Sequence, residues 1–516
     1  MRETPEFGLT WAMADANAAG SEPEVTPGLA ANSIGFVDAV SIGLNATSPA
    51  YSLAACLGPI VVLVGVAAPG VLLASFIPML LIASAFLFLN RVDPDCGTTF
   101  SWVTRAMGPW CGWMGGWAIA MTGVLVVGSL ADVGVRFTLL MFGFDELAAN
   151  DFLVMGIAMV LIVVMTWICV VGTELSGRLQ TVFTLVQVVA LLIFIGVAIY
   201  KGASGQGLAG AEMPSIDWLN PFAQGTAALT AGLLLGVFAY WGWESAVNLN
   251  EETTDSASTP GRAAILSTII LLVTYVGTAV AVLMLVGPTF LSDNAGEEEM
   301  AFALIADEAL GGFGWIVLLA VAMSAIASTQ TTIIPASRTA LSMARRTAIP
   351  AYFGQVSTKY RTPAVSTWWV AIIAIIWYVG VRFISENALF DSLTALSLLI
   401  AFYYSLTGFA CAIYYRKMLL KSVRGFLLIG VGPVVGGILL VWLLVMSVIS
   451  MSDPANSYGG VSWFGLGPPL VIGIFLFALG VIFMICMRIA NTPFWKERPT
   501  VVAPALVPAA EGGTAP

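Results

Sequence analysis

Long apolar segments separated by short polar stretches make up most of this chain. Each segment is long enough for a helix of roughly 20 residues, which matches the hydrocarbon thickness of a membrane. The pattern predicts an all-α polytopic membrane protein with about 12 transmembrane helices, at residues 33–66, 69–89, 110–136, 152–171, 179–200, 226–249, 263–287, 313–343, 364–381, 391–415, 425–449 and 461–487. Outside this transmembrane domain of residues 33–487, residues 1–32 are expected to form a flexible tail and residues 488–516 a disordered one.

The first and sixth segments are interrupted by residues that do not suit a transmembrane helix. In the first, the run from Asn45 to Ser52 contains Pro49, which removes a backbone donor and disfavours helix in the residue before it. In the sixth, Gly242 and Glu244 interrupt an apolar stretch. Breaks at matching positions of two five-helix halves predict an inverted five-plus-five repeat, with two extra helices and a site near the membrane midplane. A proline kink and a glycine packing seam are the alternative interpretation.

The basic residues are distributed unevenly between the two sides of these segments. All but three of the 20 lysines and arginines fall on the side that contains the N-terminus, the exceptions being Arg136, Lys201 and Arg382. The positive-inside bias assigns that side to the cytoplasm and predicts that both termini lie there. Composition agrees, because 59% hydrophobic and 10% charged residues cannot supply the surface of a water-soluble globule. We expect a multi-pass protein of the cytoplasmic membrane.

Several function classes are disfavoured by what the chain lacks. It has no histidine, and its 6 cysteines show no metal-binding or disulfide spacing, so we expect no metal site, no cofactor and no catalytic residues. A net charge of −10 does not suit a nucleic-acid binder. We find neither the repeated filter loop of a channel nor a nucleotide-binding loop.

Glu244 is an acidic residue predicted to lie inside the sixth transmembrane helix. A carboxylate at that depth is costly and normally faces a cavity, a partner or an ion pathway. The alternative is a structural role, in which the carboxylate pairs with a hydroxyl or a backbone donor. Phe238, Tyr240, Trp241 and Trp243 flank it, and such rings cover a substrate, stack on a cation or face lipid.

Three motifs together resemble the family of amino acid, polyamine and organocation permeases. The stretch from Phe238 to Glu244, followed by an acidic exit at residues 250–253, is similar to that family's signature in the sixth helix. Residues 335–345, with 349–350 and 361–363, resemble the exit of the eighth helix and its following loop, and residues 93–103 resemble the loop between the second and third helices. The resemblance covers about residues 33–490 and implies the leucine-transporter-like inverted repeat.

The resemblance also implies roles for residues at the two breaks. In relatives, the broken first helix offers backbone N–H groups, usually from a Gly-x-Gly sequence, to a substrate carboxylate, and an aromatic ring of the sixth helix covers the substrate. The implied substrate-binding residues are Asn45, Ala46, Thr47, Ser48, Ala50, Tyr51, Phe238, Tyr240, Trp241 and Gly242. Because Thr47-Ser48-Pro49 stands where those glycines would be, hydroxyls are added and one amide donor is lost. The mode of carboxylate binding stays open.

Coupling to an ion is likewise implied by the resemblance. Glu244 is the candidate for proton sensing or antiport coupling. Some relatives place a lysine amine of the fifth helix where sodium would lie, and the matching residue here is Gln187. Ser328 and Thr329 offer hydroxyl oxygens for a sodium ion, with ordinary helix packing as the alternative. Asp38 is expected to cap or gate the start of the first helix.

These features predict a secondary active transporter that moves an amino acid or a related organic amine by alternating access. The expected partners are that small molecule, a proton or sodium as coupling ion, and the lipid bilayer. The alternatives are a nutrient sensor built on a transporter fold and an exchanger without ion coupling.

Overall fold

The computed structural model describes residues 28–501, apart from 296–297, 385–387 and 457–460. Its regular structure is helical throughout the described residues, where strand pairing is limited to two isolated bridges. In this part of the chain, 10 helical stretches are long and apolar enough to cross a membrane. One of them, Phe36–Val92, has 57 residues, which is enough for two crossings, and Gly225–Ala239 is a shorter apolar helix. These findings confirm the all-α polytopic class.

We number the crossings as spans in chain order and keep these names below. The spans are 1, Phe36–Thr47 with Pro49–Val64; 2, Ala68–Val92; 3, Pro109–Met141; 4, Asp151–Val171; 5, Thr173–Ala203; 6, Gly225–Ala239 with Ser245–Asn248; 7, Thr259–Leu285; 8, Trp315–Arg345; 9, Ala364–Ile384; 10, Ala388–Tyr414; 11, Val423–Met451; and 12, Pro468–Ile489. Span 5 begins at Thr173, before its predicted start at 179, whereas span 1 lies within its predicted bounds and span 12 begins at Pro468, after its predicted start at 461. We call the end of the bundle at which span 1 begins the basic face, and the other end the opposite face.

Span 1 breaks where the sequence predicts. Phe36–Thr47 ends at Ser48, whose φ of 58° lies in the left-handed region. Pro49 then starts the second helix, where its missing N–H and fixed φ are tolerated. The Ser48 N–H still donates to the Leu44 carbonyl at 2.9 Å, and this bond completes the last turn of the first helix.

Span 6 also breaks as predicted. Its first helix ends at Ala239, and a turn carries the chain to Ser245–Asn248, a single helical turn. Gly242 lies within that turn with a φ of 123°, a backbone conformation that residues other than glycine rarely adopt. The second half of span 6 is therefore much shorter than the second half of span 1.

A buried ion pair joins the segment directly after span 6 to span 8 at the basic face. Arg338 donates from Nε and Nη2 to the two oxygens of Glu252, each at 3.1 Å, and Thr173 donates to the same carboxylate. Both side chains are almost fully buried, with relative exposures of 1% and 0%. The N–H groups of Ser33 and Ile34 donate to the Glu252 carbonyl, so the segment before span 1 covers this contact. This end of the bundle is closed.

Two of the three basic residues that break the predicted charge bias lie in one ion network at the opposite face. Arg136 and Arg382 both donate to Asp132, at 2.7 and 2.6 Å, and both contact Asp151. Tyr378 donates to Asp132 as well. Their charges are thus used to hold spans 3, 4 and 9 together.

The segment after span 12 packs against the basic face as far as it is described. Phe494 and Trp495 are buried, in a short helical turn at Pro493–Lys496. Glu497 pairs with Arg346 at 3.0 Å. Two large aromatic side chains thus anchor the described part of the segment after span 12, which reaches residue 501, and the disordered tail of residues 488–516 stays a prediction. Residues 502–516, and residues 1–27 of the N-terminal tail, lie outside the described chain.

We predict that Glu252→Gln strongly destabilises the protein, because it leaves Arg338 buried without a counter-charge. The expected loss is about 3–5 kcal/mol of unfolding free energy, measured by thermal unfolding of the purified protein in detergent. The double variant Glu252→Met with Arg338→Met removes both charges and should recover most of that loss. Glu174→Gln, in the exposed pair with Arg178, is the control and should change little. Equal stability of Glu252→Gln and the parent would contradict this role.

Candidate functional site

The two helix breaks touch each other through their backbones. A side chain carbon built on Gly242 would lie 2.5 Å from the Ala46 carbonyl oxygen and 2.9 Å from the Thr47 nitrogen. Only glycine therefore permits this approach. The broken parts of spans 1 and 6 form one continuous site in the interior of the bundle.

Span 8 supports the break in span 1 through serine hydroxyls. The hydroxyls of Ser48 and Ser324 share a hydrogen bond of 3.0 Å, and the Tyr51 N–H donates to Ser324 at 3.4 Å. Ser328 donates to the Ala46 carbonyl at 3.2 Å. A broken helix leaves N–H and carbonyl groups without helical partners, and these serine contacts satisfy two of them, the Tyr51 N–H and the Ala46 carbonyl.

Glu244 is buried beside this contact and is held by tyrosines of span 10. Its carboxylate accepts hydrogen bonds from the hydroxyls of Tyr403 and Tyr404 and from the Gly242 N–H. The Trp241 indole N–H donates in turn to the Tyr403 hydroxyl. Among the described residues, no lysine or arginine forms a salt bridge with Glu244. The carboxylate is satisfied by neutral donors alone.

Two small cavities adjoin the breaks. The first, which we call the outer cavity, is lined by Ala46, Thr47, Ser48, Tyr51, Ser52, Val126, Leu130, Phe238, Trp241 and Ser328. The second, the inner cavity, is lined by Ala46, Ile119, Thr122, Gly123, Trp241, Gly242, Glu244, Ser245, Thr332 and Pro335. Neither lining contains a basic side chain.

Most of the predicted substrate-binding residues line one of these cavities, and three line neither. Asn45 is turned into contacts with span 5, Ala50 is buried away from both cavities, and the ring of Tyr240 packs on Tyr275 with centroids 4.9 Å apart. Phe238 lines the outer cavity, as the covering ring would. These placements leave the substrate-binding roles as predictions.

Gln187 belongs to a chain of buried amides that joins spans 1, 5 and 8. Its side-chain N–H donates to Asn45, and Asn45 donates to Gln180. Gln180 donates to Gln330 at 2.6 Å, and Gln330 donates to Ser176 at 2.6 Å. The position where some relatives carry a lysine amine is thus filled here by a neutral hydrogen-bonded network.

The two hydroxyls proposed to bind sodium have different surroundings. Ser328 contacts the carbonyl of Ala46 in the broken span, whereas Thr329 donates to Ala325 of its own helix at 2.9 Å. Asp38 accepts from the Gly35 N–H and from Thr181, so it caps the first turn of span 1. The contact of Thr329 is the ordinary one for a hydroxyl inside a transmembrane helix.

Sequence reasoning missed the partners that fix this site. Tyr403 and Tyr404, Ser324, and the amides Gln180 and Gln330 are all buried polar residues within apolar spans. That property was a usable signal, because polar side chains at this depth must find a partner or line a cavity. Which of them reach Glu244 or Asn45 depends on the packing of distant spans, and no spacing along the chain encodes it.

A cluster of Asp95, Cys96 and Glu251 at the basic face has ligand-type atoms within 4.8 Å of one another. Its carboxylates are already engaged, since Glu251 pairs with Arg345 at 2.8 Å and Arg105 lies 3.9 Å from Asp95. Burial raises the pKa of the Cys96 thiol well above its usual range, which favours the protonated thiol over the thiolate that metals need. The cluster is therefore part of the ion-pair layer at this face.

The fold and site define a polytopic membrane protein whose interior site lies between two broken helices. The chain belongs to the amino acid permease family, whose model matches residues 29–489. It is 27% identical to an uncharacterized transporter of Mycobacterium bovis, over 66% of this chain and 72% of that protein. It is also 27% identical to a branched-chain amino acid permease of Lactococcus lactis, over 60% and 68%, and 24% identical to the mouse Asc-type amino acid transporter 1, over 80% and 72%.

We predict that Gly242→Ala disrupts the site far more than Gly225→Ala does. Both glycines have positive φ, at 123° and 84°, so both substitutions strain the backbone by about 1–3 kcal/mol. Nothing lies within 4 Å of the carbon added at Gly225, whereas the one at Gly242 collides with span 1. Thermal unfolding and ligand-induced stabilisation of both variants measure the difference. Equal effects would show that the two breaks do not need this contact.

Proposed function

We propose that this protein is a secondary active transporter that moves an amino acid or a related organic amine across the cytoplasmic membrane by alternating access. The observation that carries the proposal is the direct contact of two broken spans around buried cavities. Exposed helix ends at membrane depth are tolerated only where they line a cavity or are buried in protein. Two such breaks at matching positions are typical of transporters, in which they form the substrate and ion sites.

The closed basic face supports alternating access. In this structure, the ion pair of Glu252 and Arg338 and the segment at Ser33 and Ile34 separate the cavities from that face. A substrate that leaves on this side requires spans 6 and 8 to separate there. We assign the basic face, with both termini, to the cytoplasm on the strength of the charge bias.

The substrate class follows from the relatives and from the linings. Two relatives are named as a branched-chain amino acid permease and an Asc-type amino acid transporter. The cavities offer hydroxyls, aromatic rings and one carboxylate, and they suit a small molecule that carries an ammonium group. At the break in span 1, only some of the backbone N–H groups are available to a substrate carboxylate, because Pro49 has no N–H and the Tyr51 N–H already donates to Ser324.

Glu244 is our candidate for proton coupling. Its partners are neutral, so a change in its charge leaves no buried cation without a counter-charge. Ser328 and Thr329 stay candidates for sodium coupling, with Ser328 the better placed because it contacts the broken span. The neutral amide chain through Gln187 favours the second candidate function, an exchanger without ion coupling. A nutrient sensor on the same fold would bind without exchange.

We predict that proteoliposomes loaded with unlabelled substrate accumulate the labelled compound by counterflow. Candidate substrates come first from a thermal-shift screen of amino acids, polyamines and small amines, since a ligand that binds the folded state raises its apparent stability. The Gly242→Ala variant serves as a control for non-carrier uptake. Binding without counterflow would support the sensor and contradict the transporter.

We predict that Glu244→Gln retains substrate binding but flattens the pH dependence of exchange, because the amide keeps the shape and loses the ionisable proton. Exchange is measured across pH, with sodium present or replaced by potassium. Glu174→Gln, on the exposed surface, is the matched control and should follow the parent.

Three outcomes separate the coupling candidates. An unchanged pH profile in Glu244→Gln contradicts proton coupling through this residue. If exchange depends on sodium in the parent protein and loses that dependence in Ser328→Ala, coupling is assigned to the Ser328 hydroxyl. A parent protein indifferent to both pH and sodium is the uncoupled exchanger.

A further inference from the structure

The outer and inner cavities follow one another along the path between the two faces. Span 3 runs away from the basic face and contributes Val126 and Leu130 to the outer cavity but Ile119 and Gly123 to the inner one. Span 8 runs the other way and contributes Ser328 to the outer cavity, then Thr332 and Pro335 to the inner one. Both spans thus place the inner cavity about one turn or more closer to the basic face.

Trp241 stands between the two cavities. It and Ala46 are the residues that line both, and Ala46 contributes at the backbone contact with Gly242. The indole is 8% exposed and is held by its hydrogen bond to Tyr403. Because Tyr403 also donates to Glu244, the ring that separates the cavities is tied to the carboxylate in the inner one.

The inner cavity has the chemistry of a cation site. Glu244 is the charged residue in its lining, and Thr122, Ser245 and Thr332 supply hydroxyls. Gly242 and Gly123 form part of its wall, and their missing side chains let spans 1 and 8 pack closely against them. A carboxylate, hydroxyls and a tryptophan ring together suit an organic ammonium group.

We propose that Trp241 is an internal partition, and that the inner cavity is a second station for the ammonium group of the substrate on its way to the basic face. The inference rests on the proposed transport function and adds to it a gate and a second site. When the bond between Trp241 and Tyr403 breaks, the ring swings aside and the two cavities join. Glu244 then meets the ammonium group directly.

Cysteine accessibility tests the partition without any knowledge of the substrate. In a background with the 6 native cysteines replaced, Ser328→Cys reports on the outer cavity and Thr332→Cys on the inner one. Aminoethyl methanethiosulfonate is added outside intact cells, whose cytoplasmic thiols consume reagent that leaks in. With Trp241 intact, Thr332→Cys should react much more slowly than Ser328→Cys. Trp241→Ala should raise the rate at Thr332→Cys at least tenfold and leave Ser328→Cys unchanged.

Two adjacent tyrosines provide a matched control. Tyr403→Phe and Tyr404→Phe each remove one hydrogen bond to Glu244, but only Tyr403 holds the Trp241 indole. Tyr403→Phe should therefore raise the reaction rate at Thr332→Cys, and Tyr404→Phe should not. Equal effects of the two substitutions, or no effect of Trp241→Ala, would overturn the partition.

The charge of the reagent tests the second station. In the Trp241→Ala background, Thr332→Cys should react at least tenfold faster with the aminoethyl reagent than with sulfonatoethyl methanethiosulfonate, after correction for their intrinsic rates. Glu244→Gln should abolish that preference. Equal reaction rates of the two reagents with Glu244 present would contradict the proposed cation site in the inner cavity. Labelling of the two cysteines does not require transport. A negative labelling result would therefore contradict the second site without contradicting the transport function, and a negative counterflow result would not change the expected labelling rates.

Discussion

The close approach of Gly242 to the backbone of Ala46 and Thr47 is the contact on which the interior of this protein depends. Two helices are broken at the same place inside the bundle, where free N–H and carbonyl groups are costly. The neighbouring spans supply the missing partners, as when Tyr275 of span 7 donates to Ala239 and Ser328 of span 8 donates to Ala46. Spans 7 and 8 therefore meet the breaks of spans 1 and 6 because each satisfies a backbone carbonyl there, and span 10 reaches the same place through the Glu244 side chain.

The fold and the positions of the breaks were readable from the sequence, and the partners at the breaks were not. Pro49 and Gly242 are local signals, since each changes what its own backbone can do. The apolar lengths of the spans are local as well. Contacts such as those of Glu244 with Tyr403 and Tyr404 join residues about 160 positions apart, and they depend on how span 10 is tilted and rotated. The sequence showed that these groups are polar and buried, but not which of them meet.

The charged residues divide according to whether they have a partner of opposite charge. Arg136 and Arg382, which break the charge bias, are neutralised by Asp132 and Asp151. Glu252 is likewise neutralised by Arg338. Removing a proton or a charge from such pairs leaves the other partner buried and uncompensated, so these groups are suited to hold spans together.

Glu244 has a different environment, and that difference is the physical reason for our proposal that this residue couples transport to protons. Two of its partners are tyrosine hydroxyls, which can reorient or exchange donor and acceptor roles at small cost, and the third is the Gly242 N–H, which only donates. Because one of those hydroxyls also holds Trp241, any change in the carboxylate alters the hydrogen bonding of a ring that lines both cavities. If Glu244 takes up a proton as we propose, its protonation and the position of the ring are linked by the single hydroxyl of Tyr403, without a charged amine at the position of Gln187 in span 5.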